Sequence, residues 1–115
     1  MARDPGEPDP RETAELQRLR REIDVLDKRI VGLLNERATL ARAAGREKRA
    51  AGWTAVRDAE REREVLLRVT MANAGPMPQV DLIAVYERLM AVARALETSD
   101  GDRGGTPGDR TTDDG

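Results

Sequence analysis

No proline interrupts the chain between Pro10 and Pro76, and over much of that stretch the apolar residues recur every three or four positions. Leu16, Leu19, Ile23, Leu26, Ile30 and Leu33, followed by Arg37, Leu40 and Ala44, keep the heptad rhythm of a long helix that packs against others. Thr13 suits an N-cap, and the stop falls near Ala50 to Gly52. The spacing therefore predicts one helix of roughly 35 residues or more, about 55 Å long at 1.5 Å per residue. The remaining stretch of about 45 foldable residues is too short to bury such a rod, so the rod asks for a second chain.

A second helix is expected from Thr54 or Ala55 to Asn73, ended by the turn and breaker residues of "NAGPMP" (73–78). A third is expected from Pro78, a residue suited to a first helical turn, to Glu97, with Leu82, Tyr86, Leu89, Ala93 and Leu96 on one stripe. Strand-like alternation of useful length and internal repeats are both missing from the sequence. The fold class is all-α: three helices per chain, the N-terminal one very long. Residues 1–11 and 98–115 are rich in Pro, Gly and Asp and poor in apolar side chains, so they are expected to be a flexible N-terminal tail and a disordered C-terminal tail around a folded unit at 12–97. Gly32 and Gly45 each cost the first helix about 1 kcal/mol relative to Ala, and neither counts as a site at this level.

Composition narrows the chemistry. The chain has no Cys and no His, which removes the thiolate nucleophile, the commonest general base and the commonest metal ligand. A reaction that needs positioning and fixed charge survives, without metal or cofactor. The net charge of −2 is uneven, because residues 12–97 carry 16 bases against 14 acids while both ends are acidic. That small excess, with only Trp53 and Tyr86 for stacking, argues against a nucleic-acid partner. No uncharged apolar run of about 18 residues exists to span a membrane. The N-terminus lacks a basic-then-apolar signal and the C-terminus lacks a lipidation cysteine, so a cytoplasmic location is expected.

The informative residues are charges that interrupt apolar stripes. Arg37 takes a step where the first helix calls for an aliphatic side chain, and Lys48, eleven residues on, lies roughly 20° away around the axis and about 16 Å along it. Asp58, Arg61 and Glu62 are spaced i, i+3, i+4, and Glu62 shares a stripe with Ala59, Leu66 and Val69. Glu97 continues the stripe of Ile83, Tyr86, Met90 and Ala93. Singly, each has a bland explanation: a seam cation snorkels or sets register, and "RDAEREREV" reads as a solvated, salt-bridged face. Together they describe a box of cations and carboxylates suited to an anionic ligand with hydroxyl groups.

Three ordered motifs carry a family resemblance: "LRREIDVLDKRIVGLLNERATLARAAGREK" (19–48), "VRDAEREREVLL" (56–67) and "LIAVYERLMAVARALE" (82–97). They resemble the small all-helical bacterial chorismate mutases. The resemblance implies an intertwined helical homodimer with sites shared between chains, and rearrangement of chorismate to prephenate in phenylalanine and tyrosine biosynthesis. It places Arg20 across the dimer on a substrate carboxylate and Arg37 on the carboxylates from within the chain. Seventeen residues, roughly 25 Å of helix, separate the two, so one small ligand can touch both only if two chains contribute. The resemblance further implies that Lys48 donates to the ether oxygen, that Asp58 and Glu62 take the hydroxyl, and that Arg61 adds a cation at the carboxylate end. Ile23, Ala44, Val65, Met90 and Ala93 would wall the pocket.

Two residues depart from the family pattern. Glu97 stands where many members carry Gln, and a carboxyl donates to the ether oxygen only when protonated, so activity is expected to favour lower pH. Ala93 stands where serine is common. The alternatives are a relative acting on aminodeoxychorismate or isochorismate, and a non-catalytic helical regulatory partner of a shikimate-pathway enzyme.

Overall fold

A computed structural model describes residues 5–6, 10–54 and 57–104 of the chain. Every regular element among them is helical: α1 (Ala14–Ala50), α2 (Ala59–Ala72) and α3 (Gln79–Gly104). Both ends of α1 are closed by the residues that the sequence offers. Thr13 is the N-cap, its Oγ1 accepting from the Leu16 amide at 3.1 Å. At the other end the Gly52 amide donates to the Arg49 carbonyl and the Trp53 amide to the Lys48 carbonyl, at 3.0 and 2.9 Å. This paired closure requires a left-handed residue, and Gly52 supplies it at φ 88°.

α2 begins later than its composition suggests. Thr54 and Arg57 are not helical, residues 55–56 lie outside the described set, and Asp58 is the N-cap, its Oδ1 accepting from the Arg61 amide at 3.0 Å. A side-chain acceptor for an orphan amide outweighs the general helix propensity of the residues before it. Between α2 and α3 the Asn73 amide nitrogen donates to the Met77 carbonyl and to Gln79 Oε1, at 3.0 and 2.8 Å, which ties the turn to the start of α3.

α3 runs on past Glu97, so residues 98–104, placed by composition in a disordered tail, are helical. The reason is tertiary: Asp100 accepts two hydrogen bonds from Arg42, Nε to Oδ2 and Nη2 to Oδ1, both 2.8 Å. This fork-on-carboxylate geometry, through its hydrogen bond first and its charge second, raises the Arg42 guanidinium above its usual range. Arg49 adds a donor to the Glu97 carbonyl at 3.3 Å. Residues 105–115 of the expected C-terminal tail, and 1–4 and 7–9 of the N-terminal one, lie outside the described residues.

The chain divides into two units, Met1–Glu36 and Arg37–Gly115. In the first, no described residue is buried, and Leu19, Ile23, Leu26, Ile30 and Leu33 of α1 are 44 to 59% exposed. Its charged face is laced by local pairs, Arg18 with Glu15 and Glu22 among them. In the second unit, α2 packs on α3, and the C-terminal part of α1 meets α3 through Arg42, Gly45 and Lys48. Met90 is the one buried apolar side chain among the described residues. No helix among them is long and apolar enough to cross a membrane.

Candidate functional site

A cavity of about 390 Å³ opens within the second unit. Arg37, Lys48, Asp58, Arg61, Glu62, Arg94 and Glu97 line it, with Leu40, Ala41, Ala44, Val65, Met90 and Ala93 as its apolar wall. The three helices each deliver what their stripes carry. The late turns of α1 bring Arg37 and Lys48 to one side, the N-terminus of α2 brings Asp58, Arg61 and Glu62, and α3 brings Arg94 and Glu97. Four cations face three carboxylates, leaving one positive charge over before any ligand enters, which favours an anion.

The cations are held in different ways. The Arg37 guanidinium lies over the Tyr86 ring, 5.7 Å from its centroid, so an aromatic face on α3 orients a cation on α1. Lys48 Nζ is 2.7 Å from Glu97 Oε1 and 5.9 Å from the centroid of the Trp53 ring. Glu97 is only 6% exposed, and a buried carboxylate needs that charged partner. Glu97 Oε1 is buried and, beyond this ion pair, accepts no hydrogen bond among the described residues.

The α2 acids are already engaged. Asp58 spends Oδ1 on its own helix end. Glu62 sits between two arginines: Arg94 Nη1 donates to Oε2 at 2.6 Å, and Arg57 Nε is 3.4 Å from Oε1. Arg61, more than half exposed, pairs with Glu64 at 2.5 Å while still lining the cavity.

Six of the seven charged residues named from the sequence thus meet at one cavity, with Ala44, Val65, Met90 and Ala93 of the five expected wall residues. Arg20 and Ile23 do not line it: both belong to the first unit, where Arg20 Nη1 pairs with Glu12 Oε1 at 2.6 Å and Ile23 is 54% exposed. Leu40, Ala41 and Arg94 were missed. Arg94 was legible, because it lies four residues after Met90 and three before Glu97, on the same inward stripe.

Residues 19–98 match the family described as chorismate mutase type II. The chain is 38% identical over 87 residues to a bifunctional chorismate mutase/prephenate dehydratase of Aquifex aeolicus, covering 72% of this chain and 24% of that protein. It is 40% identical over 78 residues to a protein of the same description from Neisseria gonorrhoeae, covering 68% and 21%. A third, from Stutzerimonas stutzeri, is 35% identical over 91 residues, covering 75% and 25%. The chain spans about a quarter of the length of these curated relatives. With a family match over most of the folded region and three relatives above 30% identity, the chain belongs to the chorismate mutase type II family.

Proposed function

We propose that the chain catalyses the rearrangement of chorismate to prephenate, as a homodimer whose sites are completed across the chain pair. The observation that carries this reading is the cavity itself, which gathers Arg37, Lys48, Asp58, Arg61, Glu62, Arg94 and Glu97 at a net charge of +1 in a chain without Cys or His. The reaction is unimolecular: an ether C–O bond breaks as a new C–C bond forms, with no covalent intermediate. What it asks of a protein is the compact substrate conformer and charge where charge develops.

Arg37, steadied by Tyr86, suits a substrate carboxylate. Lys48 donates to the ether oxygen, where negative charge grows as the bond breaks, so this contact strengthens in the transition state. Glu97, held against Lys48, faces the same oxygen. Asp58 and Glu62 receive the substrate hydroxyl, with Arg94 and Arg57 fixing Glu62. Arg20 closes the site from the second chain. Support for that second copy comes from the half-exposed Leu19, Ile23, Leu26, Ile30 and Leu33, an apolar seam whose burial would drive association. The names of the relatives join a mutase to a prephenate dehydratase, so prephenate would pass to a dehydratase, fused or separate, in the cytoplasm.

The test is loss of chorismate absorbance with purified protein, beside Arg37→Ala. Turnover should collapse in Arg37→Ala by about 100-fold or more. A folded protein with no turnover of chorismate, yet active on isochorismate or aminodeoxychorismate, would move the substrate assignment; inactivity on all three would leave a binding role.

A further inference from the structure

The one buried residue of α1 is Gly45, on the helix face that meets Glu97. A Cβ built at Gly45 would stand 2.7 Å from Glu97 Cγ, 2.8 Å from Oε1 and 3.1 Å from Cδ. Atoms do not share such space, so any side chain at position 45 and the present Glu97 conformation exclude each other. Gly32, in the same helix, has nothing within 4 Å of the corresponding point. The close approach therefore belongs to position 45 and not to helical glycine in general. Three residues further along α1, Lys48 reaches the same Oε1 at 2.7 Å. The missing side chain and the ion pair thus act on one carboxylate.

We propose that Gly45 is a positioning residue of the site: its bare backbone forms the notch that seats the Glu97 carboxylate against Lys48. The proposal rests on the mutase reading, in which Lys48 and Glu97 face the ether oxygen. A glycine inside a helix lowers its stability, and the notch gives this one a reason to be there. The displaced carboxylate has somewhere to go. A second cavity of about 190 Å³, lined by Gly45, Lys48, Arg49, Trp53, Thr98 and Gly101, adjoins Glu97 on this side. Gly45→Ala should therefore fold, with the Glu97 carboxylate displaced from its present seat against Lys48.

The experiment is a cycle of four proteins, wild type, Gly45→Ala, Glu97→Ala and the double variant, read by kcat, KM and the emission of Trp53. Trp53 is the one tryptophan of the chain, and its ring lies 5.9 Å from Lys48 Nζ, so its emission reports on the pair without any turnover. Gly45→Ala should lower kcat about as far as Glu97→Ala, on the order of 100-fold, with little change in KM. The double variant should lose nothing more, because no carboxylate is left to displace. Trp53 emission should shift alike in all three variants. Losses in kcat that multiply in the double variant, or wild-type kcat in Gly45→Ala, would overturn the proposal, since helix packing alone behaves in one of those ways. Should Gly45→Ala not fold, a folded double variant with the activity of Glu97→Ala supports the notch, and an unfolded one overturns it. A wild type without turnover would remove the mutase reading and the catalytic role of Gly45 with it, while the emission shifts still decide whether Gly45 seats the pair.

Discussion

Arg94 illustrates how a residue acquires a role through its neighbour. Its Nη1 holds Glu62 Oε2 at 2.6 Å, so the carboxylate assigned to the substrate hydroxyl is fixed from the side by α3. Arg94→Leu should free Glu62 to rotate and lower kcat/KM by about tenfold, while Arg94→Lys, which keeps the charge but not the planar fork, should recover part of it. Tyr86 does the corresponding work for Arg37 by offering its ring face. Tyr86→Phe should therefore leave KM for chorismate near the wild-type value, and Tyr86→Leu should raise it by a few fold, the size of an exposed cation–π contact. At this scale the sequence was informative about charge and silent about shape. Arg37, Lys48 and Glu97 stood out as charges on apolar stripes, and Arg94 could have been read the same way. Gly45 could not, because its importance lies in which atom of α3 comes within 3 Å, a fact no helical period contains.

The helices were legible wherever period and cap agreed. Thr13 and Gly52 bound α1 where the spacing put them, because both act through backbone groups within a few residues. The two boundaries that moved have causes at different ranges. α2 waits for Asp58 because that side chain caps it, a local effect that apolar spacing does not encode. α3 outlasts its composition because Arg42 holds Asp100 from 58 residues away. Asp58 carries two duties on this view, one to its helix and one to the ligand, and substitution separates them. Asp58→Asn retains a good N-cap and should leave the melting temperature nearly unchanged while lowering kcat/KM. Asp58→Ala should lose both, with about 1 kcal/mol of stability measured by chemical denaturation.

For the whole molecule, the decisive observation is that the described residues bury one apolar side chain, Met90, while the seam of α1 stays half exposed. In the sequence, the length of α1 is what argues for a second chain. In the proposed homodimer each site draws Arg37 from one chain and Arg20 from the other, which gives a mixing prediction. Arg20→Ala and Arg37→Ala should each be nearly inactive alone. After unfolding together and refolding, random pairing makes half the dimers mixed, each with one intact site, so activity should return to about a quarter of the wild type. No recovery, with mixed dimers demonstrated by mass spectrometry, would refute the sharing of sites.

The shortage of core also governs how such a protein responds to its own abundance. A chain whose described residues bury one apolar side chain has little reason to stay folded alone, so in the proposed homodimer folding and pairing would be a single equilibrium that is second order in chain. Well below the midpoint of that proposed equilibrium, doubling the amount of chain would quadruple the amount of assembled catalyst. Output would then follow the square of the dose, a sensitivity to supply that arises from packing alone.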